Sequence, residues 1–242
     1  MQTTTARSQS TATSKDSDVD PQVAISASVA CDPASANMKR IVDEARGDRR
    51  SFVNGSDFVG HIDVYGFSIL NEQALESLKT VTEPMGHRIV SVCTGLGYAE
   101  AQMVASGMEV TGFDKRVPAT RWLLDTHDTS EGMPVSRFSD RALFISFPEP
   151  TKGANSGGAS FPVEVMREFI EAGGTTVIVI TEARPTEHAI KCDRAVVEFL
   201  REGTCVAEVV LPAWPVVSCF TGYGHSHHTF EPVLKAYRFP SK

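Results

Sequence analysis

Cysteine pairs at metal-binding or redox spacing are missing from this chain. Its five cysteines, Cys31, Cys93, Cys192, Cys205 and Cys219, include no C-x-x-C pair, and an odd number cannot close a complete set of disulfides. Neither a disulfide-stapled scaffold nor a cysteine zinc site is expected, and Cys93 and Cys205, set in apolar runs, read as buried reduced thiols. Positive charge is also scarce: 23 Lys and Arg face 30 Asp and Glu, a formal net charge of −7. That balance argues against a protein whose affinity comes from neutralising nucleic-acid phosphates. No apolar run approaches the roughly 20 residues of a membrane helix. The first residues lack the apolar centre of a secretory signal. Their Ser/Thr-rich character with Arg7 and Lys15 faintly suggests a transit peptide, but Asp16, Asp18 and Asp20 break that pattern. The expected location is cytoplasmic.

What remains is material for one sizeable α/β domain. Hydrophobic residues make up 41% of 242, enough for a core if the polar start stays outside it. Residues 1–36 are dominated by Ser, Thr, Asp and small side chains and are expected to form a disordered or irregular tail. Residues 37–87 read as N-terminal helices and a covering arm. Asn37 caps a short helix to Arg46; an aromatic, glycine-bearing stretch with Phe52, Phe58, Tyr65 and Phe67 follows; Asn71 then caps a helix over 72–80 with Ala74, Leu75 and Leu78 on one face.

From residue 88 to 242 strands and helices alternate. Strands are expected over 88–93, 109–113, 142–147, 175–180, 204–211 and 233–239, and a very short one at Val135. Helices are expected over 98–106, 119–124, 162–172 and 189–201. The runs at 89–92, 142–147, 177–180 and 206–211 are predominantly apolar, as strands covered on both faces should be. The fold class is therefore α/β: a doubly wound, mostly parallel, Rossmann-like sheet, whose two consecutive last strands form an antiparallel pair at one edge.

Chemistry concentrates in one stretch. Arg88 to Val92 runs into Cys93-Thr94-Gly95-Leu96-Gly97-Tyr98, a tight glycine turn opening a helix, and the next strand ends at Asp114. Glycines let backbone approach a ligand, and an acidic strand tip takes ribose hydroxyls. A pyrophosphate site wants a third glycine three residues after Gly97, where this chain has Glu100, whose charge opposes phosphate at the helix N-terminus. A phosphate-free nucleoside carrying a cation, such as S-adenosylmethionine, suits the turn better.

These residues resemble class I methyltransferases, in particular methyltransferase-like proteins whose glycine motif runs acidic-hydrophobic-Gly-Ala-Gly-Thr-Gly-Tyr. The corresponding pieces are Tyr65-Gly66-Phe67, the helix from Asn71, Val92 to Tyr98, Asp114, Ser146-Phe147-Pro148-Glu149-Pro150 and Thr181-Glu182. The resemblance spans about residue 60 to the C-terminus. It implies S-adenosylmethionine as cofactor, with Ser91, Cys93, Thr94, Gly95, Gly97, Tyr98, Asp114, Ser146 and Phe147 lining its site. Two positions depart from the pattern: Ser91 replaces the strand-end acid that commonly meets the methionine amino group, and Cys93 replaces the first glycine.

Glu149 lies in a stiff two-proline loop and Glu182 follows the strand expected over 175–180, the fifth when the very short one at Val135 is counted; either could accept a proton from a substrate. The glycine-bearing loop 151–160 is a candidate lid. The group Gly224-His225-Ser226-His227-His228 lacks a helix-spaced third ligand, so no metal site is expected. Trp214 is expected beside the last strands. The leading expectation is an S-adenosylmethionine-dependent methyltransferase-like protein acting on a small-molecule or protein acceptor. The alternatives are a non-catalytic Rossmann-like binding or scaffold domain that has lost cofactor use, supported by Ser91 and Cys93, and an NAD-type oxidoreductase, opposed by Glu100.

Overall fold

The computed structural model describes residues 68–115, 117, 121–123, 125–129, 133–146, 161–182, 194–211, 214–216, 228–230 and 232–241. The N-terminal tail, the helix expected at 37–46, the aromatic arm to Phe67, the segment Phe147 to Pro150, the loop 151–160 and His225 to His227 lie outside these residues.

Five parallel strands form the body of one sheet: β1 (Arg88–Val92), β2 (Glu109–Asp114), β3 (Thr126–Asp128), β4 (Ala142–Ser146) and β5 (Thr176–Glu182). Two more strands, β6 (Thr204–Val210) and β9 (Pro232–Arg238), complete it in the order β3-β2-β1-β4-β5-β9-β6. β9 runs antiparallel to both β5 and β6. The expected antiparallel pair therefore sits at one edge, with the last strand of the chain inserted one place inward. β7 (Trp214–Val216) and β8 (His228–Phe230) form a separate two-stranded ribbon. After β1 the chain winds outward through β2 and β3, then crosses back to β4 on the other side of β1. The reversal between β1 and β4 is the position where open α/β sheets place ligands, beyond the carboxyl ends of their strands.

Alternate residues of each strand feed opposite faces. Ile89, Phe144, Ile178 and Leu234 join Ala74 and Leu78 of α1 (Glu72–Thr82) and Met103 of α2 (Tyr98–Ala105) in one apolar cluster. Val90, Leu143, Val177 and Val179 join Met166 and Phe169 of α3 (Phe161–Glu171) and Val196 and Phe199 of α4 (Arg194–Leu200) in the other. Two covered faces explain why β1, β4 and β5 are predominantly apolar in sequence.

Several expectations need correction. β6 is not covered on both faces: it is the edge strand, and Val206 and Val210 are 47% and 63% exposed. Cys205 on the same strand is exposed, and so is Cys93. The helix expected over 119–124 is absent at residues 121–123, because the Trp122 amide donates to Leu96 O at 2.7 Å instead of to a carbonyl one turn back. Val135 opens a 3-10 turn to Phe138, and the short strand is β3. β3 escapes sequence reading because Thr126-His127-Asp128 is polar and only three residues long.

Asn71 caps α1 as expected, its Oδ1 accepting from the Ala74 amide at 2.9 Å, and its amide donates to Val210 O on β6 at 3.0 Å. The residues just before α1 are held by a side-chain clasp. Gln102 of α2, itself buried, accepts from the Leu70 amide at 2.9 Å and donates to the Leu70 carbonyl at 3.0 Å. Ser68 pairs its hydroxyl with that of Ser146 at the end of β4. The chain thus enters α1 across the carboxyl rim of the sheet. Replacing Gln102 with Ala leaves both polar groups of the buried Leu70 backbone without these partners. We expect a loss of about 2–4 kcal/mol of stability, measured by urea unfolding.

Candidate functional site

β1 leads into three left-handed residues in close succession: Cys93 (φ 60°), Gly95 (φ 54°) and Gly97 (φ 72°). The first carries a side chain, in a conformation that costs L-residues about 1–2 kcal/mol. Cys93 therefore holds a backbone conformation that favours glycine, with its side chain exposed. The turn is tied to the neighbouring strand. Thr94 donates its hydroxyl to Phe113 O at 3.0 Å, and Gly97 closes the turn by donating to Thr94 O at 2.9 Å.

The tip of β2 meets the turn directly. The Gly95 amide donates to Asp114 Oδ2 at 2.8 Å. Gly95 is exposed, and among the described residues a Cβ added to it meets nothing within 4 Å, so its face of the turn is open to them. Gly97 does something different. A Cβ there would fall 2.7 Å from Leu123 Cβ, and one on Gly112 of β2 would fall 2.7 Å from Leu123 Cδ2. Gly97 and Gly112 make room for one buried leucine; Gly95 leaves room above the turn.

Tyr98 opens α2 and is 3% exposed. Its ring meets Trp122 edge-on, centroids 5.1 Å apart, within the apolar cluster beneath the turn. Ser91 is fully buried, and its hydroxyl donates to Glu100 Oε1 at 2.7 Å. Glu100 is also buried. Its pKa rises from an ordinary 4.5 to about 7, chiefly because burial disfavours the charged form; hydrogen bonds from Ser91 and from its own backbone lower it, and the Asp114 carboxylate raises it.

Of the sequence-predicted residues, the structure brings Thr94, Gly95 and Asp114 together at the rim, with Gly97 packed just below. Ser91 lies deeper, on Glu100, and Ser146 is half-buried at the end of β4, on Ser68. Glu182 ends β5 at the same carboxyl edge; its side chain, together with Phe147 and Glu149, lies outside the described residues. Sequence reasoning missed Leu123, Trp122 and Gln102, and it read Glu100 only as a charge hostile to phosphate. The available signal was a serine nine residues before a glutamate across a strand–turn–helix, which places both in the interface between β1 and α2. Among the described residues no group of three or more His, Cys, Asp or Glu is placed to hold a metal, and no helix is long and apolar enough to cross a membrane.

No protein-family model matches the chain, and no curated protein matches its sequence. Solved structures do resemble it. A Bacillus halodurans C-125 protein provisionally named a methyltransferase is 12% identical, with a TM-score of 0.43 over 70% of this chain and 100% of its own. A glycopeptide N-methyltransferase complexed with S-adenosyl-L-homocysteine is 14% identical, with a TM-score of 0.40 over 72% of this chain and 92% of its own. The Burkholderia thailandensis 1,6-didemethyltoxoflavin-N1-methyltransferase, with that substrate and S-adenosylhomocysteine bound, is 15% identical, with a TM-score of 0.38 over 80% of this chain and 90% of its own.

Two measurements check the site's physical chemistry. Gly97→Ala forces a methyl group against Leu123 in a left-handed backbone, and it is expected to lower stability by about 2–4 kcal/mol in urea unfolding. Glu100 holds its proton more tightly folded than unfolded. Its contribution is therefore full below about pH 4.5 and is lost as pH rises through about 7. Between pH 5 and pH 8 the native protein should lose about 2–3 kcal/mol from this group, and Glu100→Gln should not show that loss.

Proposed function

We propose that this chain is an S-adenosylmethionine-dependent methyltransferase-like protein that transfers a methyl group to a small-molecule or protein acceptor. The observation that carries the reading is the direct bond between the Gly95 amide and the Asp114 carboxylate, at the carboxyl end of β1, the strand beside which the sheet reverses its winding. It puts an exposed backbone cradle and an acceptor for a ribose diol within one ligand's reach. The adenosyl group lies over Gly95, with its ribose hydroxyls on Asp114 in exchange for the Gly95 amide.

The chemistry of the turn selects the ligand class. A buried carboxyl, Glu100, sits in the first turn of α2, where a dinucleotide would place its pyrophosphate. An adenosyl ligand without phosphates and with a positive sulfonium fits that surrounding; an NAD-type ligand does not. When bound, S-adenosylmethionine supplies an electrophilic methyl group. The protein's share is positioning and the exclusion of water, with Glu149 or Glu182 as the base where the acceptor must lose a proton.

A second reading, a binding or scaffold domain without catalysis, is favoured by one observation: the Ser91 hydroxyl is engaged with Glu100, not presented at the rim. Calorimetry with S-adenosylhomocysteine separates the two. The methyltransferase-like reading expects binding by the folded protein, weakened at least about tenfold in Asp114→Ala through loss of a charge-assisted contact. No binding at millimolar ligand favours the scaffold, and unchanged affinity in the variant removes Asp114 from the ribose site.

A further inference from the structure

Glu100 is placed as few carboxyls are. It is 3% exposed beneath the glycine turn, between β1 and α2. The groups acting on it are the Ser91 hydroxyl from β1, the amide of its own backbone and the Asp114 carboxylate at the tip of β2; no basic side chain among the described residues acts on it. Ionised, it would have hydrogen-bond donors but no counter-ion among the described residues. Asp114 is the same carboxylate that bonds Gly95 on the turn's open face. Its charge is felt at Glu100 through a low-dielectric interior, so a charge seated over that turn is felt there too.

Resting on the nucleoside reading above, we propose that Glu100, held by Ser91, is a charge-discriminating residue of the ligand site: it favours a cationic adenosyl ligand over the uncharged counterpart left after methyl transfer. S-adenosylmethionine carries one net positive charge; S-adenosylhomocysteine, without the sulfonium, carries none. A cation over the turn opposes the effect of Asp114 and draws Glu100 into its ionised form, with release of a proton. That ion then attracts the donor and not the product. By linkage, the preference strengthens as pH rises through the range where Glu100 gives up its proton.

The test uses the full chain and two probes, S-adenosylmethionine and S-adenosylhomocysteine. Each is titrated by calorimetry at pH 6, 7 and 8 in two buffers of different ionisation enthalpy. The expected result is proton release with the methionine form, up to about half a proton per site at pH 7, and a ratio of the two dissociation constants that grows between pH 6 and 8. The growth approaches about tenfold for each pKa unit by which the cation depresses Glu100. Glu100→Gln is expected to bind both ligands with a flat ratio. Ser91→Ala keeps the carboxyl but removes a donor that favours its ionised form, so the profile should move to higher pH; this keeps the test open if Glu100→Gln does not fold. A flat ratio in the native protein, with both ligands bound, overturns the inference alone, as does an unshifted profile in Ser91→Ala. Failure of the folded native protein to bind either ligand overturns the nucleoside reading and this inference with it.

Discussion

The hydrogen bond from the Gly95 amide to Asp114 organises this end of the molecule. It joins the turn after β1 to the tip of β2, and it requires the run of left-handed residues that precedes α2. Thr94 reinforces the same junction from its hydroxyl to Phe113 O. Once the two strand ends are locked together, the open side of Gly95 and the carboxylate have no choice but to face one space. The bond also pairs an exposed amide with a half-buried carboxylate within the fold.

Two carboxyls divide the labour beneath that rim. Asp114 is partly exposed and bonded to backbone. Glu100 is enclosed and bonded to Ser91, with its acidity shifted towards neutrality. Similar groups in dissimilar surroundings acquire different tasks. The structure also accounts for the serine at the end of β1: a second acid facing the buried Glu100 would put two carboxyls together in a dry interface, whereas a hydroxyl can donate to whichever protonation state Glu100 adopts.

The sequence made the sheet legible because burial writes itself into composition. Strands β1, β4 and β5 are covered twice and are predominantly apolar, and Asn71 at its cap and Gly173 in its left-handed turn mark helix ends by local backbone chemistry. The same reasoning failed where partners are distant in the chain. Val206 and Val210 of β6 are exposed although they are as apolar as core-strand residues, because the strand's place at the edge is decided by where β9 inserts. Residues 121–123 carry a helical pattern, yet the Trp122 amide is taken by Leu96 O. That the turn at Gly95 meets the tip of β2 at Asp114 was readable from motif order. The different surroundings of Gly95 and Gly97 were not, since only the position of Leu123 distinguishes an open glycine from one that leaves room for a neighbour.

Leu123 touches the space above two glycines from two different elements, and this ties three positions to a single volume. At 112 the nearest obstacle to a methyl group is Leu123 Cδ2, which a smaller side chain at 123 would withdraw; at 97 it is Leu123 Cβ, met in a left-handed backbone, and valine or alanine at 123 would leave it in place. A lineage carrying alanine at 112 should therefore betray itself by valine or alanine at 123, while glycine persists at 97.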